Sequence, residues 1–370
     1  MRDVFISGIG SYSPGDPVPF TDIEKVLGRL DKLPPKLAAW VERMKPIMEG
    51  MLGVEYCHYA LDHETRQPTD NVVTLSVKSA QRALDMAGLK ATDIDLLVYA
   101  GISMEHICPP TSVLIQEELK IPRTAEYSIH SNCTSVYKAL QVAADQLALG
   151  RYKNALIVSA QLSSPFLRAE HFNQAALEKS HILLRWFLSD GSGALVLTTD
   201  PQQGTRERFL VKHTYIESMG LGLGPDMYCV VGGHRMNPLE IYENGWHHLT
   251  QNFEKVAKLS IELGKQAAVE LMNRIHMKWQ EVQYFIINVP TKHIFDQVNM
   301  ELPRDHNAPN LKFYSKLATR GYPGPCAMMH SLDDFVRDES PRPGDIVASV
   351  VAESSKWMYG GFALEYLGKR

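Results

Sequence analysis

One order of elements occurs twice in this chain of 370 residues. "NVVTLSVKSAQRALDMAGLKATDIDLLVYAG" (71–101) reads as a helix, a glycine stop, an acidic turn and an apolar strand. "KLSIELGKQAAVELMNRIHMKWQEVQYFIINV" (258–289) repeats it as helix, short polar link and apolar strand. Apolar residues recur at three-to-four spacing in both helices. Both strands are short continuous apolar runs, the pattern of strands covered on two faces. A duplicated helix–strand unit requires helices packed on sheets, which predicts a layered α/β fold.

"NALIVSAQ" (154–161), "GALVLTTD" (193–200) and "GDIVASVVAE" (344–353) read as further strands. The polar segment "DPQQGTRER" (200–208) is the expected seam, dividing the chain into halves 1–202 and 203–370. Residues 15–70 and 203–250 show no regular pattern and are expected as loops or caps over a site. The Met-rich patch "MKPIMEGM" (44–51) reads either as a mobile helix or cap over an apolar cavity, or as core.

The bulk composition excludes several classes. Net charge is −4 and no basic cluster occurs, so there is no electrostatic footprint for nucleic acid. Five cysteines, at 57, 108, 133, 229 and 326, are odd in number and lack CxxC spacing. They fit a reducing cytosol better than a disulfide framework or zinc knuckle. The N-terminus "MRDVFISGIGSYSPG" has no signal-peptide features, and no window approaches the roughly 18–20 apolar residues of a membrane span. A cytoplasmic protein without membrane partner is expected. "HHL" (247–249) and "DHE" (62–64) lack metal-ligand spacing, so no metal site is expected and both are read as surface polar residues.

Within "AEYSIHSNCTSVYKALQVAADQLALG" (125–150), a strand ending, a small polar turn and a helix stopping at Gly150 place Cys133 at a helix mouth. Unsatisfied N–H groups and the positive end of the macrodipole there favour thiolate and can lower a cysteine pKa. The same groups can stabilise an oxyanion when a thiolate attacks a thioester. The competing reading is a small hydrophobe packed under the helix. Polar neighbours Ser131, Asn132, Thr134 and Ser135 favour a tight exposed turn, which makes the two readings even; the other four cysteines are read as structural.

The stretch 125–164 resembles the nucleophile region of the ketoacyl-acyl-carrier-protein synthase III family, thiolase-fold condensing enzymes. "ISGIGSYSP" (6–14), "ALDMAGLKATDIDLLVYAG" (83–101), "PPTSVLIQEELKIP" (109–122) and "LSDGSGALVL" (188–197) agree with that family in order and spacing. The resemblance implies an α/β thiolase-like fold of two pseudo-duplicated halves in α-β-α-β-α layers. It makes Cys133 the acyl acceptor, with CoA or a phosphopantetheine thioester as substrate and no tightly bound cofactor. It further implies an acyl-CoA or acyl carrier protein partner, and a homodimer or a heterodimer with a homologous synthase.

The resemblance fails at the partners of the cysteine. The family's His position falls on Asn288 in "FIINVPTKHIFDQV" (285–298), and its Asn position on Tyr322 in "RGYPGPCAMMHSLDDF" (320–335). "ESSKWMYGG" (353–361) replaces a glycine-rich oxyanion turn, with Ser355 as a substrate-binding candidate. An amide at Asn288 and a phenol at Tyr322 can donate hydrogen bonds, but the amide is no acid or base near neutrality. Simple acyl transfer needs only a thiolate, an oxyanion site and a base. His293 is the preferred base, with His130 and His330 as alternatives; each is also readable as a structural histidine. By analogy Phe187 and Trp186 gate an acyl pocket, core packing being the equal alternative. The departures argue against housekeeping fatty-acid initiation. They leave an acyltransferase of specialised metabolism, a non-catalytic or half-catalytic subunit, and a condensing enzyme with an atypical oxyanion site.

Overall fold

The computed structural model describes residues 1–204 and 207–369. In chain order its long elements are β1 (Phe5–Tyr12), α1 (Pro35–Leu52), α2 (Val72–Ala87), β2 (Leu96–Gly101), α3 (Thr111–Glu118), β3 (Ala125–His130), α4 (Ser135–Ala148), β4 (Asn154–Gln161) and β5 (Gly191–Thr198). The second part contributes β6 (Arg208–Ser218), α5 (Phe253–Ile275), β7 (Tyr284–Asn288), α6 (Lys292–Asp305), β8 (Lys312–Tyr314), α7 (Ala327–Asp338), β9 (Ile346–Glu353) and β10 (Met358–Gly368).

These strands join in the order β8-β7-β9-β10-β6-β1-β5-β4-β2-β3. The strands of residues 1–198 form one side and those of 208–368 the other. They meet where Phe5 faces Leu210 and Ile6 faces Phe209. Helices α2 and α3 cover one outer face, with Leu75, Leu84 and Ile115 packed against Leu97, Leu156 and Val196. Helices α5 and α6 cover the other, through Leu271, Val298 and Leu302 against Phe285 and Ala348. Between the two sides lie α4 and α7, whose Val136, Leu140, Leu332 and Phe335 share a core with Val98, Ile157, Val347 and Phe362. The result is the expected α-β-α-β-α layering.

Local chemistry explains the tight fit of β1 on α2. A Cβ at Gly10 would lie 2.3 Å from the Ser79 carbonyl oxygen, and one at Gly8 2.0 Å from that of Ala83. The "SGIG" spacing therefore lets a strand lie directly on a helix backbone. Asn71 closes a capping box at the start of α2, and Gly88 ends it in the left-handed region with φ 65°.

Two expectations are corrected. Residues 203–250 include β6, eleven residues long, paired along β10. Its Lys212, His213, Thr214 and Glu217 interrupt the apolar run, because much of its surface is only half-buried. Residues 15–70 include the eighteen-residue α1, which buries Leu37, Val41, Met48 and Leu52. Pro46 inside that helix broke the helical signature in sequence. Among the described residues no helix is long and apolar enough to cross a membrane.

Candidate active site

Strand β3 runs parallel to β2 and ends at His130. Residues 131–134 then turn the chain into α4, so Cys133 sits two residues before that helix. Its side chain is buried, and its sulfur lies 3.1 Å from the Tyr322 hydroxyl. Tyr322 is aimed from across the molecule. Its N–H donates to the Phe187 carbonyl at 2.9 Å, and its own carbonyl accepts from Ser189 N–H at 3.1 Å. A short parallel bridge between Leu188 and Tyr322 thus fixes the phenol.

The expected helix-mouth thiolate is not what the geometry gives. Glu353, at the end of β9, places a buried carboxylate against the turn. Thr134 N–H donates to its Oε2 at 2.8 Å and Asn132 N–H to its Oε1 at 3.3 Å. The hydroxyls of Ser131, Thr134 and Ser355 donate to the same carboxylate. An anion therefore already occupies the donors on both sides of residue 133. Burial, then the Glu353 charge, push the Cys133 thiol up to about 12, against a smaller lowering by the Tyr322 hydrogen bond. Burial and the adjacent Cys133 likewise hold the Tyr322 phenol well above its ordinary value.

Lys138, one turn into α4, donates from Nζ to Ser131 Oγ at 2.8 Å. Ser131 thus bridges a cation to Glu353. Beside this turn opens a cavity of about 670 Å³. Ile102, Met104, Phe166, Met227, Val231 and Leu249 make it largely apolar, while Glu353, Ser355, Lys138 and His130 supply its polar groups. Its size lies within the range of small-molecule sites.

The structure places the other sequence candidates in three groups. Asn288, the last residue of β7, is buried with both amide atoms unpartnered. It lines a cavity of about 10 Å³ together with Tyr322 and His330. His330 is buried on α7 with neither ring nitrogen hydrogen-bonded, and burial, then Arg320, lower it to about 3. Phe187 and Trp186 are buried: Phe187 has its ring centroid 6.3 Å from that of Tyr322, and Trp186 stacks on Trp40 of α1 at 6.1 Å.

His293 is exposed on the first turn of α6, where Thr291 caps the helix, and it is not among the groups that touch Cys133. The preferred base is corrected accordingly: capping at Thr291 starts the helix before His293 and turns that side chain outward. His130 is exposed and lines the larger cavity. Ser355 lines it too, its hydroxyl bonded to Glu353. His248, read as surface from "HHL", is buried; its Nε2 accepts from Asn173 N–H at 3.1 Å.

Sequence reasoning missed Glu353. The available signal was a carboxylate directly after an apolar strand, in the segment that departs from the family's glycine-rich turn.

Comparison with known proteins bears on the fold and on the family it is similar to. Residues 127–215, which contain the Cys133 turn, match the model of 3-oxoacyl-[acyl-carrier-protein (ACP)] synthase III. A β-ketoacyl-[acyl-carrier-protein] synthase III of Clostridium perfringens is 25% identical over 340 residues, covering 90% of this chain and 92% of the relative. That of Caldanaerobacter subterraneus is 22% identical, covering 93% and 92%. Among solved structures, AbyA1, a tetronic acid condensing enzyme, superposes with TM-score 0.80 at 20% identity, covering 98% of this chain and 99% of its own. The priming β-ketosynthase of the R1128 polyketide pathway superposes at 0.76 with 18% identity, covering 100% and 97%. The chain thus has a thiolase-like fold. In sequence it resembles the ketoacyl-acyl-carrier-protein synthase III family.

Proposed function

We propose that this protein is an acyltransferase of the synthase III type, which loads an acyl group from a CoA or carrier-protein thioester onto Cys133. It then passes that group to a second substrate in fatty-acid-like, polyketide or other secondary-metabolite biosynthesis. The observation that carries the reading is the position of Cys133, between the Tyr322 hydroxyl and a turn that opens on the 670 Å³ cavity. In the loading step the Cys133 sulfur forms a bond to the thioester carbonyl carbon and the donor's C–S bond breaks. The thiol proton ends on the released CoA or pantetheine thiol. Tyr322 is the hydroxyl donor within reach of the sulfur. Asn288, which lines a small cavity with Tyr322, can offer an amide but cannot carry a proton.

A second reading, a non-catalytic or half-catalytic subunit paired with a homologous synthase, draws support from the raised thiol pKa. Condensation with an atypical oxyanion site, formed by Tyr322 and Asn288, is the third. Intact-protein mass spectrometry with a panel of acyl-CoA and acyl-carrier thioesters separates the subunit reading from the other two. One acyl mass on the wild type, absent in Cys133→Ala, is the expected result. No adduct from any donor overturns the stand-alone transferase.

A further inference from the structure

We propose that Glu353 is a positioning residue for the nucleophile: its carboxylate anchors the turn around Cys133 and cancels the positive end of α4, keeping the sulfur protonated between turnovers. The inference rests on Cys133 being the acyl acceptor.

The argument is first one of capacity. A carboxylate offers about four lone-pair sites. Glu353 already faces five donors: the N–H groups of Asn132 and Thr134 and the hydroxyls of Ser131, Thr134 and Ser355. It has no free position from which to take a substrate proton, so it is no general base in this arrangement. What it does is structural and electrostatic. Its two oxygens bind the backbone on either side of residue 133 and fix the direction of the sulfur.

The electrostatic part follows from where the anion sits. A helix start presents unpaired N–H groups and a positive potential, the usual means of activating a cysteine there. Here an internal anion fills that place before any substrate arrives. The groups facing Glu353 do not reverse this. Lys138 on α4 reaches it only through Ser131. His130 on β3 and His247 and Cys229 of the 219–249 segment line the same cavity. Asp226 nearby is already paired with Lys255 at 2.7 Å and with the Trp357 indole N–H at 2.6 Å. Tyr322 faces the sulfur from the other side.

The test is the pH–rate profile of Cys133 alkylation by iodoacetamide, read by mass at that residue, for wild type and Glu353→Gln. Removing the charge is expected to move the midpoint down by a unit or more. Each unit multiplies the thiolate about tenfold, while the lower nucleophilicity of a less basic thiolate takes back nearly half on a logarithmic scale. About a threefold faster reaction per unit at pH 7.5 remains. An unchanged or raised midpoint in a folded Glu353→Gln protein overturns the inference. If that variant does not fold, the wild-type profile decides: a Cys133 midpoint at or below the ordinary thiol value of about 8.5 overturns the proposal. Acyl loading is scored separately. A wild type that takes no acyl group fails the transferase reading alone, whereas normal loading with an unmoved midpoint fails this inference alone.

Discussion

The hydroxyl of Tyr322 stands 3.1 Å from the sulfur of Cys133 and favours the ionised form of a thiol that burial and Glu353 otherwise oppose. Tyr322→Phe should therefore raise the midpoint of Cys133 alkylation and slow acyl loading, the reverse of what loss of the Glu353 charge does. The stability cost of losing one such hydrogen bond is about 1 kcal/mol. Alkylation profiles of the two variants side by side check the opposed signs.

His330 offers a pH dependence whose sign can be worked out. Its folded pKa is depressed to about 3 from 6.5, by burial first and Arg320 second. The unfolded chain therefore binds a proton below 6.5 that the folded chain refuses until about 3. The neutral ring contributes stability above pH 6.5 that is lost as pH falls through that window. His330→Phe should flatten the acid limb of a stability-versus-pH curve from denaturant melts. His248, lowered to about 3 by burial and its neighbouring histidines, leaves part of the slope in place.

The same substitution tests the small cavity. Both nitrogens of His330 and both amide atoms of Asn288 lack partners, each worth about 1–3 kcal/mol when buried unsatisfied. A cavity of about 10 Å³ is at the size of one water, roughly 10–15 Å³. If it is dry, His330→Phe at pH 7 gains stability; if a water bridges the two residues, the variant loses about 1 kcal/mol or more. Urea midpoints of wild type and variant decide.

Phe187 is buried between the Tyr322 and Phe253 rings. Phe187→Ala should cost about 3–5 kcal/mol from the cavity it leaves. If this ring gates the acyl chain, the variant also accepts longer donors in the mass-spectrometric panel. An unchanged chain-length profile assigns Phe187 to packing alone.

His293, exposed on α6, should be dispensable. His293→Ala is expected to load acyl groups at the wild-type rate and to stay within about 0.5 kcal/mol in stability. A large fall in loading restores it as the base.

The duplicated helix–strand passages made the layering legible, because α2–β2 and α5–β7 each carry their apolar pattern within one continuous segment. The place of the turn at Cys133 was legible for the same reason, but its expected exposure is corrected: Ser131, Asn132, Cys133, Thr134 and Ser135 are all buried, with polar groups of Ser131, Asn132 and Thr134 gathered on Glu353. Strand β6 was not, since its half-buried polar positions erase the alternation, and of α1 only the Met-rich end was, since Pro46 breaks the helical cue. Glu353 and His293 show the deeper limit. The first meets Asn132 and Thr134, either side of Cys133, from far along the chain, and the second is turned outward by a cap at Thr291. Spacing along the chain carries neither fact.

The Trp40–Trp186 stack has a mechanical side. Trp186 precedes Phe187, whose carbonyl holds the Tyr322 N–H at 2.9 Å. The phenol that touches the sulfur is thus suspended from the same short segment on which α1 rests. The aim of the Tyr322 phenol at Cys133 and the seating of that covering helix are two readings of one lever.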